Sequence, residues 1–300
     1  MPDSKPLENK KKIAVTGANG FIGKRFIEYN KDRFEIVSIP LRHTNFEELH
    51  LSGVDAILHL AGKAHDTQGG NEENYFEINY ELTKKLAGIA ARQGVKQFIY
   101  VSSVKIYNDA AGNYFDENST PDPQDAYGSS KLKAEKYLMG EENKIPLIAI
   151  VRPPVVYGPG VKGNILRLLK LAESKWPLPL GKTRNLRSMV FVDNLVEMIN
   201  AIFEKNAAGI FVGGDESPVS TDKLIRLMRN SFGNGAGLIG LPGILRTMLS
   251  KIKPGLYNRI FGSFVIDNTQ TRRQLDFTPP YSTEYGVDQM VQWYKSSIKN

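Results

Sequence analysis

Near its start the chain carries the glycine-rich sequence Thr16-Gly17-Ala18-Asn19-Gly20-Phe21-Ile22-Gly23, from which the fold can be predicted. It follows the apolar run Ile13-Ala14-Val15 and opens a segment whose apolar residues recur at helical spacing. A strand, a glycine-rich turn and a helix in this order predict a site for the pyrophosphate of a dinucleotide. Gly17 permits a tight turn, Gly20 lets backbone N–H groups approach the phosphates, and Gly23 lets the helix pack closely on its strand. Taken alone, this spacing also fits an ordinary turn.

The composition limits the classes of protein that the chain can belong to. Its 300 residues are 41% hydrophobic, enough for one large α/β domain or two unequal ones. The sequence holds no cysteine, which excludes disulfides, thiolate metal sites and a cysteine nucleophile. None of its four histidines forms a pair with the spacing of a zinc-binding helix, so we expect no metal.

The net charge of +7 is unevenly distributed. No acidic residue lies between Asp222 and Asp267, and this interval holds seven basic residues: Lys223, Arg226, Arg229, Arg246, Lys251, Lys253 and Arg259. Such a field attracts phosphates, nucleic acid or an anionic membrane surface, although a solvated basic face fits as well. The polar start of the chain reads as a tail rather than a secretion signal, and no apolar run is long enough to cross a membrane. We therefore expect a cytoplasmic protein.

The order of apolar runs and helical segments predicts an α/β fold with a doubly wound parallel sheet. Strands are predicted at 34–39, 54–60, 97–102 and 147–151, with helices at 72–91 and 126–139 between them. From Tyr157 onward, helices broken by Pro and Gly predict a smaller, mainly helical region. We therefore predict a dinucleotide-binding domain over 1–157, to which the chain can return around 188–214, and a substrate domain over 158–300.

Two side chains near the start of the helix 126–139 can perform acid–base chemistry. Tyr127 and Lys131 are four residues apart and so share one face. An adjacent ammonium favours the phenolate and makes the tyrosine a better acid–base near neutral pH. Ser102 and Ser103 follow the strand 97–102 at the edge where such sheets bind ligands, and a hydroxyl there can polarise a carbonyl. An amphipathic helix with a solvated lysine fits the same spacing.

With these residues in place, the chain resembles the extended short-chain dehydrogenase/reductases, the NAD-dependent epimerase/dehydratase family. The resemblance rests on motifs spread over nearly the whole chain: Thr16 to Gly23, His59-Leu60-Ala61-Gly62, Asn79 to Thr83, Val101-Ser102-Ser103 with Tyr107, Tyr127 to Lys131, and Arg152 to Gly160. It implies that Tyr127 is the acid–base, that Lys131 holds the nicotinamide ribose and lowers the pKa of the tyrosine, and that Ser103 orients the reacting oxygen.

The resemblance also implies a cofactor site and, less clearly, which cofactor it takes. The cofactor-binding residues are then Gly17, Asn19, Gly20, Phe21, Ile22, Gly23, Arg42, Leu60, Ala61, Gly62, Tyr127, Lys131 and Pro154. NAD-specific members carry an acidic residue after the second strand, where this chain has Arg42, which can meet a 2′-phosphate. NADP is therefore favoured over NAD. The chain leaves hardly any room for the family's third strand, so the adenine pocket cannot be mapped.

The residues after Ser103 help to choose the reaction. Dehydratases of this family place an Asp-Glu pair there, whereas this chain has Val104 and Lys105, which disfavours dehydration. The stretch Ser102 to Ile106 is similar to the signature of bacterial 4-ketoreductases that act on UDP-4-keto-6-deoxy-N-acetylhexosamines. The resemblance thus implies hydride delivery to C4 of a nucleotide-linked, UDP-linked sugar in surface polysaccharide precursor synthesis. The alternatives are a 4-epimerase with tightly bound NAD and a noncatalytic dinucleotide-binding regulator.

The substrate site follows from the same resemblance. Arg187 matches the arginine that grips the substrate diphosphate, Asn164 can meet the same phosphates, and Arg259 is a further candidate. Ser103 is placed at the sugar, with Lys63 and His65 as possible neighbours. The helices 72–91 and 126–139 imply a homodimer through a four-helix bundle. Nucleic acid is not expected as a partner, and contact of the apolar, basic stretch 239–261 with an anionic membrane is a weaker idea than a role in the substrate pocket.

Overall fold

The computed structural model describes residues 10–41, 45–64, 72–108 and 113–298. Its strands are β1 (Lys12–Thr16), β2 (Glu35–Ile39), β3 (Ala56–His59), β4 (Gln97–Val101), β5 (Asn113–Phe115), β6 (Leu147–Arg152), β7 (Val155–Tyr157), β8 (Leu178–Gly181), β9 (Met189–Phe191), β10 (Gly209–Val212), β11 (Leu238–Gly240) and β12 (Phe264–Ile266). Its helices are α1 (Phe21–Asn30), α2 (Glu73–Phe76), α3 (Leu82–Arg92), α4 (Ala126–Met139), α5 (Gly163–Glu173), α6 (Val192–Glu204), α7 (Thr221–Phe232), α8 (Gly243–Ile252), α9 (Pro254–Phe261), α10 (Thr269–Leu275) and α11 (Thr283–Ile298).

Six strands form a central sheet in the order β10-β6-β4-β3-β1-β2, and every neighbouring pair is parallel. All residues of β3 and β4 are buried, which explains why these strands are continuous apolar runs rather than alternating ones. One face of the sheet packs on α1 and α6 through Phe26, Leu195 and Phe203. The other packs on α3 and α4 through Leu86 and Leu138. The predicted doubly wound α/β fold is confirmed.

The strand order places a crevice above β1. The chain goes from β1 to β2 on one side and then crosses back to β3 on the other, so the order reverses at β1. Ligands of doubly wound sheets bind at the carboxyl ends of the strands at such a reversal. Within the described residues β2 is the edge strand of the sheet, which agrees with the short interval that the sequence leaves for a third strand.

The helical segment before β4 is interrupted. The sequence predicts one helix over 72–91, whereas the structure has α2, a π-helical turn at Glu77–Glu81, and α3. Gly94, with φ +75°, then ends the segment as predicted. The wide turn carries Asn79, which is fully buried. A single π-turn inside a helix is common at functional sites, and here it directs an amide into the crevice region.

The C-terminal part is mainly helical and has a core of its own. Ile165, Leu169, Ile225 and Met290, from α5, α7 and α11, belong to this core. β10 joins the central sheet, and the remaining strands form the parallel pairs β5–β12, β7–β9 and β8–β11. The sequence missed these pairs, because three or four residues are too few to show a period. The domain division near residue 157 stays a prediction. In the part of the chain that the structure describes, no helix is both long and apolar enough to span a bilayer.

Candidate active site

The glycine turn is packed so tightly that side chains would not fit. Gly17 has φ +70°, and a Cβ there would lie 2.7 Å from the backbone nitrogen of Ala61. A Cβ on Gly23 would lie 2.2 Å from the carbonyl oxygen of Gly17. The turn is therefore held directly against Leu60 and Ala61, which follow β3. These contacts bring three predicted cofactor segments, the turn, the start of α1 and the end of β3, to one edge of the sheet.

The turn leaves the first N–H groups of α1 uncovered by any side-chain cap. Gly20 is the N-cap residue, its own N–H donates to the carbonyl of Gly17 at 2.8 Å, and no side chain caps the helix. Asn19 and Gly20 are exposed, and Phe21 and Ile22 begin the helix. A helix N-terminus of this kind presents N–H groups and partial positive charge, which suit a phosphate.

Ser103 and Tyr127 are brought together by the packing of α4 on the chain after β4. Asp125 caps α4 by accepting from the N–H of Gly128 at 2.7 Å. A Cβ on Gly128 would lie 2.3 Å from the carbonyl oxygen of Lys105, so only glycine allows this approach. Ser103 caps the short 3₁₀ turn Val104–Ile106, and its hydroxyl is near enough to the phenol of Tyr127 to lower the pKa of that group. The cap at Asp125 and the close approach of Gly128 to Lys105 thus hold Tyr127 near Ser103.

Lys131 is buried, not solvated. Its side chain donates from Nζ to the carbonyl of Val101 at 2.9 Å and lies 4.6 Å above the ring of Tyr100. Only 4% of the residue is exposed, and this burial lowers the pKa of Lys131 to about 8. A Cβ on Gly62 would lie 3.1 Å from Nζ, so the ammonium borders the end of β3 as well as the end of β4.

The pKa of Tyr127 differs from the expectation. The sequence predicts that Lys131 lowers it, whereas in the structure the pKa of Tyr127 is raised. Burial is the main cause, the nearby Ser103 hydroxyl offsets part of it, and the neighbouring Asp125 and Tyr75 add to the rise. The phenol is therefore protonated near neutral pH.

A buried ion pair lies one helical turn beyond Lys131. Glu135 on α4 and Arg152 at the end of β6 are each 3% exposed and meet at 2.6 Å, Oε2 to Nη2. The other Nη atom of Arg152 donates to the hydroxyl of Tyr107 at 2.7 Å. The Glu135 carboxylate also raises the pKa of Lys131 against the effect of burial. Sequence reasoning did not assign Glu135 a role. Its signal is a carboxylate four residues after Lys131, on the same helix face.

A chain of buried polar side chains supports the crevice from below. His59 Nδ1 lies 2.6 Å from the Thr16 hydroxyl, and its Nε2 lies 2.8 Å from the Thr83 hydroxyl. Burial lowers the pKa of His59 to about 3, so the imidazole is neutral. Asn79 accepts from the N–H of Lys63 at 2.8 Å and donates to Ser130 at 2.9 Å. Asn79 lay in a quoted motif without an assigned role, and the structure shows that it ties the segment after β3 to α4.

The predicted substrate residues lie on separate elements. Arg187 donates from Nη1 to the carbonyls of Asn258 and Gly262, at 3.1 and 3.2 Å, which holds it against α9. Arg259 is exposed on the same helix, next to Asn258. Asn164 is exposed in the first turn of α5, and no hydrogen bond between described residues joins it to either arginine.

The remaining predicted residues are placed as follows. Pro154 is buried between β6 and β7. Lys63 lies with its Nζ 5.4 Å above the ring of Tyr75, whose centroid is 6.2 Å from that of Tyr127. Arg42 and His65 lie outside the described residues.

Comparison with known proteins gives a consistent family. A family model described as "NAD dependent epimerase/dehydratase family" matches residues 13–213. A Vibrio cholerae protein named UDP-glucose 4-epimerase is 31% identical over 313 aligned positions, which cover 94% of this chain and 95% of that protein.

Two solved structures share the fold. UDP-glucuronic acid 4-epimerase from Bacillus cereus in complex with NAD has a TM-score of 0.75 at 21% identity and covers 95% of this chain and 99% of its own. RMD from Pseudomonas aeruginosa complexed with NADPH has a TM-score of 0.75 at 18% identity and covers 96% of this chain and 100% of its own. The family match and the Vibrio cholerae relative show that the chain belongs to the NAD dependent epimerase/dehydratase family, as the sequence motifs predicted.

Proposed function

We propose that the protein is an NAD(P)-dependent oxidoreductase acting at C4 of a nucleotide-linked, UDP-linked 4-keto-6-deoxy sugar in surface polysaccharide precursor synthesis. One observation carries the proposal. Ser103, Tyr127 and Lys131 gather at the carboxyl end of β4, and the uncapped N-terminus of α1 lies at the same edge of the sheet. A phosphate cradle beside an acid–base group is the arrangement that reduction of a sugar ketone requires.

The residues at this edge fit a dinucleotide. Side chains at Gly17 or Gly23 would collide with backbone, so only glycine lets the turn pack this closely at the start of α1. The uncapped N–H groups there suit a pyrophosphate. Gly62 borders the Lys131 ammonium, which can donate to ribose hydroxyls. When bound, a nicotinamide dinucleotide supplies or accepts the hydride.

The side chains suit proton donation. Burial keeps the Tyr127 phenol protonated, so it can give its proton to an oxygen that gains negative charge at C4. The Ser103 hydroxyl, which lies near the phenol, can donate to the same oxygen and orient it. Lys131 stays in place through its bond to Val101. Dehydration is not supported, since Val104 is buried and Lys105 follows it where a dehydratase has carboxylates.

A second candidate is a nucleotide-sugar 4-epimerase. The name of the Vibrio cholerae relative favours it, and the same three residues can serve oxidation followed by reduction on the other sugar face. The reductase reading is supported by the stretch Ser102 to Ile106 and by the protonated phenol. We place the substrate diphosphate at Arg187, with Asn164 and Arg259 as further contacts, because a guanidinium binds phosphate oxygens in pairs.

The cofactor choice belongs to the same proposal. Structural neighbours are solved with NAD and with NADPH, so the fold accommodates either. We propose NADP, on the strength of Arg42 and the absence of an acidic residue beside it in the sequence. Thermal shifts with NADP⁺ and NAD⁺ test this choice, because a ligand that binds only the folded state raises the Tm. An Arg42→Ala protein is expected to lose the larger NADP⁺ shift and to keep the NAD⁺ shift.

The reaction is tested with the purified chain, NADPH and a UDP-4-keto-6-deoxy-N-acetylhexosamine. Stoichiometric loss of NADPH absorbance, with one 6-deoxy sugar formed, is the expected result. A parallel reaction with NAD⁺ and UDP-glucose or UDP-N-acetylglucosamine tests the second candidate by NMR. Epimer formation without net reduction of NAD⁺, together with no NADPH loss in the first reaction, would overturn the reductase in favour of the epimerase.

A further inference from the structure

The helices α8 and α9 have no core of their own. Neither contains a buried residue. On α8, Ile244, Met248 and Ile252 are 81%, 56% and 63% exposed, and their spacing of four residues puts them on one face. Leu245 and, on α9, Leu256 are also more than two fifths exposed. We call these five residues the apolar face. Three of these residues repeat along one face of a single helix, which distinguishes the group from single exposed leucines on a protein surface.

Basic side chains surround the apolar face. Lys251, Lys253 and Arg259 are all exposed, and Lys251 lies beside the stripe of Ile244 and Ile252 on the helical wheel. The sequence has no acidic residue between Asp222 and Asp267. Among the residues that the structure describes, no acidic side chain forms an ion pair with these three cations. The charges of Lys251 and Lys253 are therefore available to an outside partner, and Arg259 is the further contact proposed for the substrate diphosphate.

Arg246, the remaining cation of α8, is engaged within the fold. Its guanidinium lies 4.8 Å from the ring of Phe261, and it lines a 280 Å³ cavity with Lys182 and Thr183. This contact holds α8 against α9 from the side opposite to the apolar face. Arg246 thus joins α8 to α9, and Ile260 of α9 packs against the C-terminal core, while Ile244, Met248 and Ile252 are exposed.

We propose that the apolar face docks on an anionic lipid bilayer. A short helix with an apolar stripe and flanking lysines rests in the interfacial plane, with the apolar side chains at the acyl boundary and the ammonium groups among lipid phosphates. A second copy of the chain would bring identical cations together, which opposes self-association through this face. Nucleic acid would satisfy the cations but would leave the apolar stripe in water.

The position of the face links it to the candidate substrate site. The carbonyls of Asn258 on α9 and of Gly262 after it accept the hydrogen bonds of Arg187. A bilayer that holds α9 therefore also holds the backbone against which this arginine is positioned. The docking surface does not depend on the proposed reaction, since it is measured without substrate or cofactor.

Flotation of the full-length protein with vesicles tests the docking. The expected result is binding to vesicles of phosphatidylglycerol and phosphatidylcholine at low salt, weak binding to pure phosphatidylcholine, and release as salt is raised. Leu245→Glu is expected to weaken binding by roughly tenfold, because a charge replaces an apolar side chain at the boundary. Leu171→Glu on α5 is the matched control, since Leu171 and Leu245 are 45% and 46% exposed. It is expected to leave binding unchanged.

The charge is tested separately. A Lys251→Gln/Lys253→Gln protein is expected to bind anionic vesicles about twenty-fivefold more weakly, about fivefold for each charge removed. The proposal would be overturned if the wild type, Leu245→Glu and Lys251→Gln/Lys253→Gln bound anionic vesicles equally. It would also be overturned if Leu171→Glu and Leu245→Glu lost the same amount of vesicle binding. A change of oligomeric state in Leu245→Glu by analytical ultracentrifugation, without vesicle binding by the wild type, would overturn it as well and would assign the face to a second copy. Circular dichroism verifies that each variant is folded.

Discussion

The candidate active site around Lys131, here called the pocket, contrasts with the helix pair α8–α9. Charged side chains are buried and paired in the pocket, whereas they are mostly exposed on the helix pair. In the pocket, Lys131, Glu135 and Arg152 are each 3–4% exposed, and every one of them has a close polar partner. In the helix pair, apolar side chains are exposed and most cations have no partner among the described residues. Burial fixes the geometry of the pocket from within. The helix pair lacks such a core, so its apolar face is free to contact an external surface.

The largest effect is expected from Tyr127→Phe, which removes the proton donor of the pocket and little else. Turnover should fall by about 10²- to 10⁴-fold, the usual contribution of a positioned acid–base group. The thermal shift with NADP⁺ should persist, because the glycine turn and Lys131 are untouched. Initial rates of NADPH loss and the melting shift are both measured. Unchanged turnover would support the noncatalytic regulator.

Glu135→Gln tests whether the buried charges of the pocket depend on one another. It leaves the Arg152 guanidinium in the interior without its carboxylate, which costs about 3–5 kcal/mol of unfolding free energy. It also removes the carboxylate that raises the pKa of Lys131. Urea unfolding measures the loss. If the loss is below 1 kcal/mol, the ion pair does not organise the pocket.

Glu35→Gln is the matched control for this variant. Glu35 pairs with Lys12 at 2.8 Å on the edge strand β2, with its side chain 57% exposed. Such an exposed pair contributes about 0–1 kcal/mol, so the same chemical change should have little effect here. The difference between the two Glu→Gln variants isolates burial as the cause.

The pH dependence of stability gives a smaller effect. Burial lowers the pKa of Lys131 from its ordinary value of 10.5 to about 8. Below pH 8 the lysine is protonated in both states, and the folded state bears the full cost of a buried charge. Between about pH 8 and 10.5 the unfolded chain still binds a proton that the folded chain has released, so this group makes the unfolding free energy rise with pH.

Lys131→Met removes this contribution. The difference between the unfolding free energies of the variant and the wild type, variant minus wild type, should be largest below pH 8. It should decrease between about pH 8 and 10.5. Lys133→Met, the same change at an exposed residue of α4, is the control. Urea titrations at a series of pH values measure both differences. A Lys131→Met difference that does not vary with pH would contradict the burial of the ammonium.

The sequence predicted the parts of the molecule that repeat a local pattern. Buried parallel strands form apolar runs, and α4 was predicted at its observed bounds, Ala126–Met139, because its cap and its period agree. The glycine turn could be predicted because close backbone packing requires glycine at these positions. The three short parallel pairs were not, since their partners are distant in sequence.

The candidate site was predictable in its residues but not in its electrostatics. Spacing identified Tyr127 and Lys131, and it suggested that the ammonium lowers the tyrosine's pKa. Only the fold shows that Lys131 Nζ donates to Val101 and that burial raises the pKa of Tyr127. Glu135 and Arg152 come from different elements, and a sequence does not reveal that such charges meet. The direction of a pKa shift depends on how deeply the group is buried, and the spacing of residues in the sequence does not show this.

The smallest change in unfolding free energy is expected for Ile244 on α8, whose exposure contrasts most with the buried core. Ile244→Ala on α8 should change the unfolding free energy by no more than about 0.5 kcal/mol, because its side chain is 81% exposed and few contacts are lost. The same change at Ile57 in β3, which is fully buried, should cost about 2–5 kcal/mol because it leaves a cavity. Urea unfolding of both variants in the absence of lipid measures the contrast. If Ile244→Ala costs as much as Ile57→Ala, the α8 stripe is packed in solution, and the apolar face is not free to meet a bilayer.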